Sequence, residues 1–118
     1  MQINNVFASL PVKDLSVARS WYEKLFKRAP DSTPMPTVLE WRFTGGGTLQ
    51  VYEGPDRAGG GSCTLAISNI EAVIEGLKSL GIDPDKLIDG GKAKVVMVKD
   101  LGGNCIAFAQ AIDADRAR

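Results

Sequence analysis

The chain has no histidine among its 118 residues. That absence removes the usual proton shuttle near neutral pH and the commonest side-chain ligand for zinc, nickel and non-haem iron. Serine–histidine and cysteine–histidine nucleophile pairs are excluded with it. Oxygen-only sites for Mg²⁺, Mn²⁺ or Ca²⁺ stay open. Net charge is absent too: Lys+Arg and Asp+Glu are both 14, spread along the chain without a basic stripe, so nucleic acid is not an expected partner. There is no charged-then-apolar amino-terminal signal, and no apolar run approaches the length of about 20 residues that crosses a bilayer. The expectation is a cytoplasmic protein with no membrane partner. Cysteine is scarce. Cys63 and Cys105 form no CxxC motif and lie in apolar, strand-like runs, which predicts buried thiols rather than a disulfide or a reactive pair.

What is present reads as an ordinary globular chain, 44% hydrophobic and 24% charged. Its length fits a single domain spanning 1–118, able to bury roughly two-thirds of its unfolded surface without staples. Residues 3–12 alternate, with Val6, Ala8, Leu10 and Val12 on one face and Phe7 and Ser9 on the other, the period of a strand. Asp14 then offers a helix N-cap. Leu15, Ala18, Tyr22, Leu25 and Phe26 follow at helical spacing to about Lys27. Three prolines make 28–36 a loop. Two strand-like runs, Thr37–Phe43 and Thr48–Glu53, flank Gly45–Gly46–Gly47 as a hairpin. Glu40 and Arg42 share a strand face there and are placed to pair.

The pattern then restarts. Residues 62–68 alternate again, and Asn69 or Ser68 can cap a helix carrying Ile70, Val73, Ile74, Leu77 and Leu80, which Gly81 stops. A short strand near Leu87–Ile88 and longer ones at Ala93–Lys99 and Asn104–Gln110 complete the half. Residues 111–118 read as a solvated tail. At one constant shift Ala8 falls on Cys63, Leu10 on Leu65, Val12 on Ile67, Leu15 on Ile70, Ala18 on Val73, Tyr22 on Leu77 and Leu25 on Leu80. So many apolar matches in the same order of elements imply a duplicated supersecondary unit, module one at 1–58 and module two at 62–110. The glycine clusters 45–47 and 59–61 lack a Walker lysine and a strand-then-helix context, so they read as turns. Asp83, Asp85 and Asp89 are interrupted by Leu87 and lack the bidentate glutamate of a calcium loop, so they read as an exposed loop.

The run LPVKDLSVARSWYEKLF at 10–26, its echo LAISNIEAVIEGLKSLGI at 65–82, and the ending DLGGNCIAF at 100–108 resemble the vicinal oxygen chelate superfamily, which includes glyoxalase I, bleomycin-resistance proteins and extradiol dioxygenases. The family theme is an apolar strand, V-x-D-L, then a helix with a W/F-Y pair, here Val12, Asp14, Leu15 and Trp21–Tyr22, with a closing D-P-x-G-N-x-hydrophobic-E. The resemblance implies an α+β fold of two βαβββ modules, with curved mixed sheets around a shared cavity and helices on the outer face. Carried over by position, the family's metal ligands fall on Phe7, Gln50, Ser62 and Ala107. A ring, an amide, a hydroxyl and a methyl fall well short of what a desolvated divalent ion needs, so no metal and no other cofactor is expected.

The candidate ligand-binding residues are therefore Phe7, Trp41, Gln50, Tyr52, Ser62 and Ala107, an apolar and aromatic wall with a few polar groups, and no catalytic residue is assigned. Phe7 either lines this cavity or plugs a vestigial one with Gln50 hydrogen-bonded inside. Trp21 reads as core, and Trp41 stacks either on a ligand or on the sheet. The resemblance implies a metal-independent protein that binds or sequesters a hydrophobic or planar small molecule, acting as a homodimer. An alternative is a glyoxalase- or dioxygenase-like enzyme with a non-standard or absent metal site, in which Gln50, Tyr52 or Glu40 orients a substrate. A third is an interaction module whose pocket is only structural.

Overall fold

The computed structural model describes residues 1–112. The chain divides into two compact units. The first comprises residues 1–61 together with Asp100–Asn104, and the second comprises residues 62–99 and the segment from Cys105 onward. Each holds one four-stranded mixed sheet and one helix, so the α+β architecture of two βαβββ modules is observed.

In the first unit the elements are β1 (Phe7–Val12), α1 (Leu15–Phe26), β2 (Ser32–Met35), β3 (Val38–Arg42) and β4 (Thr48–Glu53), ordered β1-β4-β3-β2 in the sheet. β1 runs parallel to β4, and the other pairs are antiparallel. The strand expected from residue 3 begins only at Phe7, because Phe7 lies opposite Thr48, the first residue of β4. Upstream there is no ladder to join, and the Asn5 amide donates to the Gly46 carbonyl of the hairpin turn at 3.0 Å instead. Asp14 caps α1: its Oδ1 accepts from the backbone N–H groups of Ser16 (3.0 Å) and Val17 (3.2 Å), satisfying donors a helix start leaves open. The helix ends at Lys27, whose φ of 58° is left-handed. Its buried stripe, Ala18 and Tyr22, covers Leu10, Leu49, Val51 and Trp41. Tyr22, Phe26 and Trp41 form an aromatic cluster with ring centroids 5.4 to 6.0 Å apart.

The expected loop at 28–36 contains β2. It is an edge strand with an irregular register between Ser32 and Met35, and edge positions tolerate the proline that a central strand would reject. Proline counting alone therefore hid it.

The second unit repeats the plan with β5 (Ser62–Ala66), α2 (Ile70–Ser79), β6 (Ile88–Asp89), β7 (Ala93–Lys99) and β8 (Cys105–Ala111), ordered β5-β8-β7-β6. Asn69 is the cap of α2, its Oδ1 accepting from Ala72 N at 3.1 Å. Gly81, at φ 75°, turns the chain out of the helix. Ile70, Leu77, Val96, Val98, Ile106 and Phe108 supply the core of this unit. Cys63 and Cys105 are half-buried rather than fully buried, and neither is in a disulfide. Ala111, expected in the tail, closes β8, and Ile112 N donates to Lys92 O at 2.9 Å. Residues 113–118 of the expected tail lie outside the described residues. No helix among the described residues is long and apolar enough to cross a membrane.

Candidate functional site

Strand pleating sends alternate side chains to opposite faces. In the first unit, Leu10, Trp41, Leu49 and Val51 face α1, so Ser9, Glu40, Gln50 and their neighbours face the other way. Two cross-strand pairs bring the polar groups together: Ser9 lies opposite Gln50, and Gln50 lies opposite Glu40.

The result is a directed chain of hydrogen bonds. Ser9 Oγ donates to Gln50 Oε1 at 3.0 Å, and Gln50 Nε2 donates to Glu40 Oε2 at 2.6 Å. From the other side Ser32 Oγ donates to Glu40 Oε1 at 2.8 Å, and Arg42 donates to Ser32 Oγ at 3.1 Å. The expected Glu40–Arg42 pairing is thus indirect, through the hydroxyl of Ser32. Glu40 is only 8% exposed. Its carboxyl is held below the ordinary glutamate range chiefly by the hydrogen bond from Gln50, then by that from Ser32; burial opposes them, and the charge of Arg42 adds a smaller push. A buried carboxylate with a donor on each oxygen stays ionised near neutrality and has no call to exchange protons. Ser32 gives no sequence signal because it lies among prolines that predict a loop.

Phe7, at the edge of this face, is 49% exposed. Tyr52 is half-buried on the same face of β4, its ring lying against Gly54, where an added Cβ would come within 2.8 Å of Tyr52 Cε2. Trp41 is not with them. It is fully buried on the helix-facing side of β3, opposite Leu49, its indole N–H donating to the carbonyl of Arg28 at 3.2 Å. In the second unit Thr64 lies opposite Ala107, as Ser9 lies opposite Gln50 in the first. Ala107 is therefore the repeat equivalent of Gln50, and Ser62, opposite Cys105, matches Phe7, opposite Thr48. Ser62 is exposed, and Ala107 is buried.

The metal positions implied by the family do not fit a divalent ion. Phe7 and Ala107 offer no donor atom. Gln50 Oε1, which already accepts from Ser9, and the Ser62 hydroxyl are neutral oxygens, and two such donors fall short of what a desolvated divalent ion needs. Among the described residues no group of three or more acidic, cysteine or histidine side chains is arranged to hold a metal. Chemically, the first unit's face offers an exposed ring, a phenol and an oriented amide.

No family model and none of the curated proteins matches the chain. Solved structures do. A glyoxalase/bleomycin-resistance protein from Catenulispora acidiphila is 29% identical with a TM-score of 0.82, over 92% of this chain and 99% of that one. TnmS3, an antibiotic-binding protein from a Streptomyces species, is 22% identical with a TM-score of 0.78, over 94% and 98% of the two chains. A bleomycin-binding protein in complex with bleomycin is 17% identical with a TM-score of 0.74, over 92% and 98%. With its duplicated modules and these likenesses, the chain has the fold of the glyoxalase and bleomycin-resistance proteins, and the vicinal oxygen chelate superfamily fits it.

Proposed function

We propose that this chain binds and sequesters a small molecule without a metal and without chemistry, in the manner of the bleomycin-resistance proteins. The single observation that carries the reading is the hydrogen-bond chain Ser9–Gln50–Glu40–Ser32. It fixes the Gln50 amide on an otherwise open sheet face, leaving one N–H and one lone pair of that amide for a guest. Phe7 and Tyr52 supply rings beside it. Ser62 and Ala107 hold the matching positions of the second module and are proposed as ligand-binding positions of that module. Trp41 is not assigned to it, because its ring lies under α1.

A hydrophobic or planar guest, polar at one edge, suits these groups, because ring faces favour stacking while the amide orients the polar edge. Solved relatives that bind an antibiotic, one of them bleomycin, direct the choice of ligands to try. A homodimer in the cytoplasm is part of this proposal. It is supported by analogy and by the exposed apolar side chains Met1, Ile3 and Val6.

The test is a thermal-shift screen of the full chain against planar and glycopeptide antibiotics. A ligand specific to the folded state raises the melting temperature by mass action. At least one such compound is expected to do so, and Phe7→Ala is expected to weaken that binding about tenfold, the loss of one stacking contact of about 1.4 kcal/mol. A hit unaffected by both Phe7→Ala and Gln50→Leu would place the ligand elsewhere.

A further inference from the structure

The two ends of a side-chain amide are alike in shape, so hydrogen-bond partners decide which way round it sits. At Gln50 the deciding partner is Glu40. A buried carboxylate only accepts, so the nitrogen end of the amide faces β3, with Nε2 at 2.6 Å from Glu40 Oε2. The oxygen end faces β1, where Ser9 Oγ donates to it at 3.0 Å. A flipped amide would set its oxygen against the carboxylate, acceptor against acceptor. Glu40 is itself held from its other oxygen by the Ser32 hydroxyl at 2.8 Å. The amide is therefore oriented before any guest arrives, which lowers the ordering cost of binding.

β4 lies between β1 and β3, and Gln50 is paired with Ser9 on one side and with Glu40 on the other. The two partners thus sit on opposite flanks of the amide and take one valence from each end. One N–H and one lone pair remain, and Gln50 makes no other hydrogen bond among the described residues. In a planar amide the N–H cis to the oxygen and the lone pair beside it point the same way, away from the stem. Partners on the flanks occupy the outer valences, so the free pair is this cis edge: a donor and an acceptor side by side on a half-exposed residue.

Such an edge is matched by another cis amide, whose carbonyl accepts from the N–H while its own N–H donates to the oxygen. Peptide bonds are almost always trans and do not show both groups on one edge. A lactam or imide is locked cis by its ring. The ionised strand residues on this face, Glu40 and Arg42, are opposite in sign and both engaged through Ser32, which favours a neutral guest. Phe7 lies opposite Thr48, one rung from Gln50 on the neighbouring strand. Strand rise and spacing put the two roughly 8 Å apart, within reach of a ring that spans both.

Taking this face as the binding site proposed above, we infer that it selects a neutral planar heterocycle with an N–H and a carbonyl side by side on one edge, as in a lactam or imide. Gln50 reads that edge, and Glu40 is the positioning residue that orients Gln50.

Nitrogen–proton NMR of the full chain, titrated with oxindole and in parallel with N-methyloxindole, tests this. The methylated compound keeps the ring and the carbonyl but sets a methyl group against the Gln50 oxygen. Oxindole is expected to give saturable shifts at the Gln50 side-chain NH₂ and the Phe7 amide, and N-methyloxindole to bind about tenfold more weakly. Gln50→Leu should bring the two compounds to similar affinity, whereas Phe7→Ala should weaken both by a similar factor. The comparison of compounds on the unaltered protein holds however the variants fold. Equal affinity of the two compounds, with shifts at Phe7 and Gln50, overturns the selectivity and leaves the small-molecule reading of the face standing. Shifts centred away from this face, or none that saturate by about 2 mM oxindole, overturn it as well. The antibiotic screen then decides separately whether the face binds any guest.

Discussion

Asn104 is a buried polar hub of the first unit. It is fully buried, and its side chain joins three segments. Nδ2 donates to the Pro11 carbonyl at 2.7 Å and to Asp100 Oδ2 at 2.8 Å, while Oδ1 accepts from Gly61 N at 2.8 Å. Asn104→Ala would take partners from the part-buried Gly61 N–H and the buried Pro11 carbonyl, so we expect a loss of about 3 kcal/mol in chemical denaturation. Tyr22→Phe removes the hydroxyl that donates to Asp100, and a loss of about 1 kcal/mol is expected. The ending D-x-x-G-N was legible as a family signature, but its work as a hub was not, because hydrogen-bond partners so far apart in sequence leave no local pattern.

Glu40 makes the pH prediction. Its folded value is depressed, by Gln50 first and Ser32 second. The stabilisation is therefore present above the unfolded glutamate value, near 4.3, and is lost as pH falls through the lower folded value. Glu40→Gln should be less stable than the parent at pH 7 and converge with it in acid, so the difference between their denaturation midpoints should shrink below about pH 4. Asp14 and Asp31 are also depressed, by Ser16 and by Arg28 in the first place. They add to the acid slope of both proteins and cancel in the difference. A gap that stays constant to low pH would mean that the Gln50–Glu40 bond does not hold the carboxylate ionised.

Among the elements, α1 carries the clearest strain. Lys27 ends it in the left-handed region, where a Cβ is disfavoured and glycine is at ease. Lys27→Gly is expected to stabilise the protein by about 0.5–1 kcal/mol, read from the same denaturation curves. The helices and central strands were readable because period and caps agreed: Asp14 and Asn69 are both the observed caps. β2 was not readable, being an irregular edge strand set among prolines. The placement of Trp41 is more instructive. The hairpin is closed by Phe43 N donating to Gly47 O at 2.9 Å, and counting back from that turn puts Glu40 opposite Gln50 and Trp41 opposite Leu49. The glycine turn thus held the register that separates Trp41 from Gln50, and a one-residue change of parity moves a side chain to the other face.

At the scale of the whole molecule, duplication makes the chain's chemistry interpretable. The same parallel pairing recurs in both units, so Gln50 and Ala107 are equivalent positions with different side chains. The repeat is symmetric in backbone and asymmetric in polar function: one module presents an ordered amide backed by a carboxylate, the other a methyl beside Thr64. The apolar repeat was visible in sequence because it is periodic. The polar chain was visible only in part, since Ser32 enters it from the element sequence reading missed. An amide, a ring and a phenol suit recognition, which is why ligand binding without a metal is the proposed role.

Calorimetric titration of the strongest antibiotic from the thermal screen, into protein stripped with chelator and into the same protein with added Mn²⁺ or Zn²⁺, tests this most directly. The chelated protein is expected to bind with the same affinity as the metal-supplemented one. Binding that appears only when the ion is present, or a stoichiometric uptake of the ion itself, would contradict it.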